Sequence, residues 1–293
     1  MNRFMIAVLA LLLGAFPAWA GIERQEMSFG GVARSYLLYV PDGLSPGPHP
    51  LVLVLHGGGG SAREVRRSTR GRFEALADRD GFLVLYPDAI GRIWDTGVGE
   101  ISSRQAPHRD DLGFLLALIE QVSDAHAVDG RRIFAAGISR GGQAAYMLGC
   151  RSGSVIRAVA AVSMTLPAAE AENCAAGGPL GFLLIEGTAD PIVPYDGGRV
   201  TVFGRARDRV LSADQTMALF ERRNGCRGET NLGRPGAVVR SAGRACRAPV
   251  MLDRVEGGGH GWPSGRNLPG LLVGATNGDM SGPDEIWAFF RGL

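Results

Sequence analysis

Seven short apolar runs constrain the fold of this chain more than any other feature of its sequence. Each run has the length of a β-strand and shows no polar alternation, which is typical of strands buried on both faces, as in a parallel sheet covered by helices. The runs are residues 36–40, 51–55, 82–86, 133–136, 158–162, 180–185 and 250–255.

Between most of these runs the sequence shows helical periodicity. Apolar residues recur three or four positions apart over residues 111–122, and further helices are predicted over 73–80, 141–148 and 212–224. Ser281 fits the N-cap of a last helix. Because strands and helices alternate, we predict an α/β fold in which a doubly wound, mostly parallel sheet carries helices on both faces.

The first twenty residues have the pattern of an export signal. Arg3 supplies a positive charge, residues 4–16 form an apolar run, and Ala18 and Ala20 form a small-x-small cleavage site. A membrane anchor is the alternative, but the run is shorter than the roughly 20 residues that a bilayer requires. We expect a signal peptide over residues 1–20, one domain over residues 21–293, and a secreted or periplasmic protein with no membrane partner after cleavage.

All four cysteines lie in the second half of the chain, and an even number in an exported protein suggests disulfides. Pairing neighbours would close two short loops, each worth about 3 kcal/mol in the chain-entropy model, but the sequence leaves the connectivity open. The cysteines are Cys150, Cys174, Cys226 and Cys246.

Composition excludes several chemistries. The chain contains no lysine among its 31 basic residues, which excludes a Ser-Lys dyad and a Schiff-base mechanism. The arginines over residues 63–72 have no interleaved aromatic residues, so we interpret them as a solvated helix face and expect no nucleic-acid partner. No Cys-x-x-Cys, His-x-His or His-Glu-x-x-His spacing predicts a metal site.

The pentapeptide Gly-x-Ser-x-Gly occurs twice, around Ser45 and around Ser139. In many hydrolases it holds the nucleophile on a sharp turn between a strand and a helix. Ser45 lies among prolines that prevent a helix, whereas Ser139 follows a predicted strand and precedes a predicted helix. We predict that Ser139 is the nucleophile rather than a helix cap, and that Ser45 lies in a surface loop.

His260 is the only one of the five histidines that follows Ser139, and the expected chain order is serine, acid, histidine. It lies in a glycine-rich turn after the last predicted strand, so we predict that it is the general base. Asp190 follows the strand predicted over residues 180–185 and would hold the imidazole in the correct tautomer. The alternative acids are Asp196, Asp208, Asp214 and Asp253.

Four glycines follow His56 at the end of an early predicted strand. We predict that a backbone N–H group near Gly58 joins that of Arg140 to form an oxyanion hole. A phosphate-binding loop is the alternative, but no Gly-Lys-Ser/Thr follows and the glycine spacing does not fit a dinucleotide site.

Six motifs together resemble those of one known group, the secreted polyhydroxybutyrate-depolymerase-like esterases, which are related to the feruloyl and acetyl xylan esterases of the first carbohydrate esterase family. The resemblance implies an α/β-hydrolase fold and ester hydrolysis by a Ser-His-Asp acyl-enzyme route, in a single catalytic domain without cofactor or metal. It places the triad on Ser139, Asp190 and His260. The motifs are His56-Gly-Gly-Gly-Gly60, Arg109-Asp-Asp-Leu-Gly-Phe114, Val128-Asp-Gly-Arg-Arg-Ile133, Gly137-Ile-Ser-Arg-Gly-Gly142, Gly187-Thr-Ala-Asp-Pro191 and Gly259-His-Gly-Trp-Pro263.

The chain differs from larger members of this group in ways that favour a smaller ester. It shows no polymer-binding domain and no Ser/Thr-rich linker, and Arg140 stands where the group has asparagine. The expected substrates are plant cell-wall esters, short-chain esters or hydroxyalkanoate oligomers. Trp94 and Trp262 lie in loops that should border the pocket and bind substrate, although core positions are equally open for both. Asp110 and Asp111 fit capping of a helix.

Two other functions remain open from the sequence. A serine peptidase or amidase can carry the same triad on the same fold. A catalytically inactive protein can keep the scaffold in order to bind a carbohydrate or a polyester. Ester turnover and covalent labelling of the serine distinguish these possibilities.

Overall fold

A ten-stranded sheet forms the centre of the part of the chain that the structure describes. The structure is a computed structural model that describes residues 21–97, 109–202 and 204–293, so the signal peptide expected over residues 1–20 lies outside the described residues. The strands of the sheet are β1 Gly21–Phe29, β2 Val32–Val40, β3 His49–Leu55, β4 Leu83–Pro87, β5 Val128–Ile138, β6 Ala158–Val162, β7 Gly181–Gly187, β10 Glu229–Gly233, β11 Val238–Gly243 and β12 Val250–Val255. Strands β8 Gly198–Val202 and β9 Arg205–Val210 form a separate antiparallel pair, the β8–β9 hairpin.

The six central strands are parallel and lie in the order β4-β3-β5-β6-β7-β12. Strands β3, β4, β6 and β7 are buried at every position, which is the environment that their uninterrupted apolar sequences predict. Antiparallel strands β2 and β1 extend one edge of the sheet, and β11 and β10 extend the other. The predicted mostly parallel sheet is confirmed.

Helices cover both faces of the sheet and bury two layers of apolar side chains against it. The helices are α1 Ala62–Ser68, α2 Arg72–Asp80, α3 Asp111–Ala125, α4 Arg140–Arg151, α5 Ala171–Ala176, α6 Ala213–Asn224, α7 Gly270–Val273 and α8 Gly282–Arg291. Helices α3, α4 and α6 contribute to one layer, and α1, α2 and α8 to the other. The arginine cluster lies as interpreted, because Arg63 and Arg67 are exposed on α1.

The paired aspartates at the start of α3 make two different contacts. Asp110 is the N-cap, and its side chain accepts a hydrogen bond from the N–H group of Gly113 at 2.9 Å. Asp111 is fully buried and accepts a hydrogen bond from the guanidinium of Arg34 at 2.6 Å. Both contacts are structural, as the sequence predicted.

Two disulfides join cysteines that are neighbours along the chain, Cys150 with Cys174 and Cys226 with Cys246. The first links α4 to α5. The loops that they close span 24 and 20 residues, so each bond restricts the unfolded chain by about 3 kcal/mol in the entropic account. The structure thus contains the short-loop pairing among the connectivities that the sequence left open.

The apolar patterns did not predict β1, β10, β11 or the β8–β9 hairpin. These strands lie at the edges of the sheet or outside it, where one or both faces meet solvent. Strand β10 is exposed at every position, and β9 buries only its last residue. Such strands need no continuous apolar run, so the patterns that identify the parallel centre cannot detect them.

No helix among the described residues combines the length and the apolar character needed to cross a membrane. Within the same ranges, no three His, Cys, Asp or Glu side chains come together as a metal ion would require.

Candidate active site

Ser139 lies on a sharp turn between β5 and α4, with φ 54° and ψ −122°. This strained backbone persists because the strand before it and the helix after it are packed too closely to relax. A Cβ atom at Gly137 would collide with the carbonyl of Gly141, and one at Gly141 would collide with the carbonyl of Leu55. Close packing therefore leaves no room for a side chain at either glycine of the pentapeptide. Ser139 lies between them, at the end of the sheet.

The other pentapeptide has a different setting. Ser45 is exposed in the loop before β3, and no helix follows it. Its carbonyl lies 2.9 Å from Nε2 of His49, which holds the loop against the strand. Ser45 therefore lies in a surface loop, as predicted.

Asp190 and His260 meet at the same end of the sheet as Ser139. Asp190 follows β7, and its Oδ2 atom accepts a hydrogen bond from Nδ1 of His260 at 2.7 Å. The other carboxylate oxygen, Oδ1, accepts hydrogen bonds from the N–H groups of Ile192 and Val193 at 2.7 and 2.9 Å. Because these donors fix the carboxylate, His260 keeps its proton on Nδ1 and leaves Nε2 as an acceptor.

Ser139 and His260 line one cavity of about 660 Å³, a volume typical of small-molecule sites. Among the described residues no hydrogen bond joins the Ser139 hydroxyl to His260. In substrate-free enzymes such bonds are often long and tighten only when substrate binds. The sequence-predicted serine and histidine thus face the same space, with the imidazole already held by the acid.

The turn after β3 lies directly against the Ser139 elbow. A Cβ atom at Gly57 would lie 3.6 Å from Cβ of Ser139, and one at Gly58 would lie 3.6 Å from Cβ of Arg140. Gly59 donates its N–H to the carbonyl of Arg92 at 2.8 Å, and Gly60 donates to that of Gly57 at 2.9 Å.

These hydrogen bonds narrow the choice of oxyanion donors. The N–H groups of Gly57 and Gly58 donate to no acceptor within residues 21–97, 109–202 and 204–293. Arg140 is the first residue of α4, and the first N–H groups of a helix point out of its N-terminus. The N–H groups of Gly57, Gly58 and Arg140 are therefore candidates for binding a negative charge beside Ser139.

His56 and Trp94 hold the turn after β3 in place through hydrogen bonds. Nδ1 of His56 donates to the carbonyl of Gly57 at 2.8 Å, and Nε2 accepts from the N–H of Ala89 at 3.1 Å. Burial lowers the pKa of His56, so the ring is neutral and its two nitrogens keep distinct roles. Trp94 donates from Nε1 to the carbonyl of His56 at 2.8 Å.

The prediction that Trp94 contacts substrate is corrected by its position. Its side chain is fully buried and does not line the cavity, whereas the adjacent Ile93 does. Its indole hydrogen bond is used within the protein, so Trp94 supports the oxyanion turn instead. The sequence could not separate these roles because a tryptophan in a loop suits either.

Trp262 lies two residues after His260 and lines the cavity. Its side chain is 1% exposed, and it packs edge-on against Phe73 with ring centroids 6.2 Å apart. Its role in binding substrate stays a prediction. The ring also belongs to the core, which was the other position that the sequence left open.

The sequence analysis missed the side chain of Arg140 and the hairpin that it contacts. The Arg140 side chain is buried; its Nε donates to the carbonyl of Trp94 at 3.1 Å, and its Nη1 lies 3.6 Å from Oδ2 of Asp208 in the β8–β9 hairpin. Val200 and Val202 of this hairpin line the cavity. The unusual arginine after the nucleophile was the available signal, but nothing in the sequence indicated its partner.

A second missed residue is Glu186, the next-to-last residue of β7. Burial and the neighbouring Asp190 carboxylate raise the pKa of Glu186 well above its usual value. The side chain is fully buried, so its charged form is disfavoured there. A single acid at the end of an apolar strand was the signal in the sequence.

Comparison with known proteins agrees with this fold. Residues 34–238 match the family described as Esterase PHB depolymerase. The chain is 32% identical to feruloyl esterase C of Emericella nidulans over 99% of both proteins, and 26% identical to feruloyl esterase D of Neurospora crassa over 96% of this chain and 95% of that protein. The solved structure of an acetyl xylan esterase from Aspergillus awamori superposes with a TM-score of 0.60 at 14% identity, covering 92% of this chain and 100% of that one, which shows a shared fold.

Proposed function

The chain belongs to the PHB depolymerase esterase family and is a carboxylic ester hydrolase, and from this premise we propose that Ser139, His260 and Asp190 cleave its substrates through a covalent acyl-enzyme. The proposal rests on one observation above all. The 2.7 Å hydrogen bond between Asp190 and His260 holds an imidazole at the cavity that the strained Ser139 also lines. Three residues far apart in the chain thereby reach one space.

In the first step, Oγ of Ser139 attacks the ester carbonyl while Nε2 of His260 removes its proton. The N–H groups of Gly58 and Arg140 stabilise the negative oxygen of the tetrahedral intermediate. His260 then gives the proton to the leaving alcohol, and the acyl group remains on Ser139. Asp190 stays ionised throughout and stabilises the imidazolium.

In the second step, water replaces the alcohol. His260 removes a proton from the water as it attacks the acyl carbonyl, and the same N–H groups hold the second tetrahedral intermediate. Collapse of this intermediate returns the proton to Ser139 and releases the acid. The chemistry uses only side chains and backbone of this chain.

The first test is turnover of 4-nitrophenyl acetate by Ser139→Ala beside the wild type and Ser45→Ala. We expect Ser139→Ala to lower kcat by several orders of magnitude, because the nucleophile is lost, and Ser45→Ala to match the wild type. Equal rates for Ser139→Ala and the wild type would refute the proposal. Circular dichroism of the three proteins controls for folding.

The relatives support a carboxylic ester as substrate. Proteins similar to this chain are named as feruloyl esterases, and a structural neighbour as an acetyl xylan esterase. A panel of feruloyl, acetylated xylan, short aliphatic and 3-hydroxybutyrate oligomer esters distinguishes these classes. Peptide and amide substrates in the same panel test the alternative of a peptidase or amidase.

Export is part of the proposal. The two disulfides are consistent with an oxidising compartment, and the first twenty residues have the pattern of a signal peptide. We expect the mature protein to begin at Gly21 and to consist of one catalytic domain over residues 21–293. N-terminal sequencing of the protein recovered from the periplasm or the medium checks the cleavage site.

A further inference from the structure

The wall of the active-site cavity carries an excess of positive charge. Besides His260, its charged residues are two acids and four arginines, whereas the whole chain has a formal net charge of only +2. They are Glu64, Arg67, Arg140, Arg207, Asp208 and Arg266.

Both acids of this wall are already neutralised. Glu64 forms an ion pair with Arg92, and Asp208 lies 3.6 Å from Arg140. The pKa of Glu64 is lowered, chiefly by its hydrogen bond with Arg92. Each acid of the wall thus has an arginine partner of its own.

The other three arginines have no such partner. Within residues 21–97, 109–202 and 204–293, Arg67, Arg207 and Arg266 form no ion pair with a carboxylate. Arg67 and Arg266 are exposed and Arg207 is half-buried, so all three charges can reach a ligand that enters the cavity. No carboxylate of the described residues pairs with these three charges, so this part of the cavity wall carries a positive field.

These arginines come from three separate elements. Arg67 belongs to α1, Arg207 to β9, and Arg266 to the loop that follows His260. The N–H group of Arg266 donates to the carbonyl of Ser68 at 2.7 Å, which joins that loop to the end of α1 and brings Arg266 beside Arg67. Three elements far apart in the chain therefore direct positive charge to the space that Ser139 and His260 line.

Much of the remaining lining is apolar. A ligand that matches the cavity has an apolar body, an ester within reach of Ser139, and a negative charge away from that ester. The apolar residues are Val65, Ile93, Ile138, Met164, Ile192, Val200, Val202, Trp262, Leu268 and Val273.

We propose that this enzyme prefers esters that carry a carboxylate remote from the bond to be cleaved, and that Arg67, Arg207 and Arg266 bind that carboxylate. This proposal rests on the proposed function, because it assigns a substrate class to the same site. Guanidinium groups suit a carboxylate, since they offer paired donors in a plane. The carboxylate belongs either to the acid that becomes attached to Ser139 or to the alcohol that leaves.

Matched ester pairs test the preference and separate these two sources. On the acid side, mono-4-nitrophenyl glutarate is compared with its methyl ester, which has the same shape without the charge. On the alcohol side, the linear dimer of 3-hydroxybutyrate is compared with its terminal amide. The quantity measured is the ratio of kcat/KM for the charged ester to that for the neutral ester, at low and at high salt.

We expect the ratio to exceed one for at least one pair at low salt and to fall as salt is added. Replacing Arg67, Arg207 and Arg266 together by glutamine should lower that ratio about tenfold, because exposed ion pairs contribute modestly and three act together. Arg63→Gln is the matched control, since Arg63 is exposed on the same α1 helix but does not line the cavity. It should keep the wild-type ratio.

Ratios at or below one for both pairs in the wild type would overturn the proposal. So would a ratio that the triple variant leaves unchanged, since the preference then does not depend on these arginines. A ratio that Arg63→Gln lowers equally would also overturn it, since that result assigns the preference to net charge. Absence of turnover of every ester, charged and neutral, by the wild type is a different result, because it refutes the proposed esterase site itself.

Discussion

Asp190 illustrates how single residues prepare the site. Its two carboxylate oxygens have separate tasks, because Oδ1 is fixed by two backbone N–H groups while Oδ2 accepts the proton-bearing Nδ1 of His260. The acid therefore cannot rotate away from the imidazole without losing buried hydrogen bonds. The pentapeptide, the chain order and the place after a strand predict Ser139, His260 and Asp190, but only the structure shows how the acid is anchored.

Asp190→Asn tests this tautomer control. The amide presents an N–H group where Nδ1–H now donates, so the imidazole turns or changes tautomer and Nε2 no longer accepts the serine proton. We expect kcat for 4-nitrophenyl acetate to fall by about three to four orders of magnitude. Thermal unfolding measures the stability of the same variant, and a wild-type kcat would contradict the assigned role.

Asp253 in β12 is a buried acid outside the cavity, and it gives the chain a pH-dependent stability. Burial raises the pKa of Asp253 to about 6 and outweighs the attraction of Arg240, whose Nε lies 3.0 Å from Oδ1. The folded protein thus holds a proton between about pH 4 and 6 that the unfolded chain has lost. The free energy of unfolding contributed by this group falls as the pH rises through that window.

Asp253→Asn removes this dependence. Relative to the wild type, the variant should gain about 3 kcal/mol in free energy of unfolding between about pH 4 and about pH 8, from a shift of roughly two pKa units. Arg240 retains an ion pair with Glu285 at 2.6 Å in the variant. Urea titrations at both pH values measure the change, and an equal difference from the wild type at both would contradict it.

At the scale of elements, the β8–β9 hairpin and α4 share the task of shaping the cavity. The contact between Arg140 and Asp208 joins the first residue after the nucleophile to a strand outside the main sheet. Both side chains are largely buried there, so removing one charge weakens the attraction that joins the hairpin to α4. The hairpin thereby sets the position of a cavity wall without contributing a reacting group.

Asp208→Asn tests this coupling. Without the carboxylate, the hairpin and its valines should lose their fixed position, and KM should rise about tenfold while kcat changes less. Arg209→Gln, which changes an exposed residue of the same strand that does not line the cavity, should behave as the wild type. A fall in kcat with constant KM would place Asp208 in the chemical step instead.

Burial decides which strands can be predicted from a single sequence. All seven runs lie in strands, because most of their residues are buried and most are apolar, although the last run also contains Asp253 and Arg254. The apolar patterns did not predict the β8–β9 hairpin because its residues are mostly polar and partly exposed. The same holds for Arg140. The sequence shows that an arginine follows the nucleophile, but its contact with Asp208 forms only because the fold brings two distant segments together.

For the whole molecule, the sheet topology explains why the site can form. Strands β5, β7 and β12 are parallel, and the segments that follow them carry Ser139, Asp190 and His260 to one end of the sheet. The first oxyanion donor follows β3, which lies next to β5. Every proposed catalytic group thus comes from a loop at the carboxyl ends of central strands, where a rigid scaffold holds it.

The central claim is that Ser139 is the nucleophile that this arrangement activates. The most direct measurement is labelling of the purified protein with a fluorophosphonate probe, followed by mass spectrometry of its peptides. We predict one phosphonylated residue, Ser139, and no labelling of Ser45 or of the His260→Ala variant at the same probe concentration. Modification of a different serine, or ester turnover by protein whose Ser139 remains unlabelled, would contradict the account.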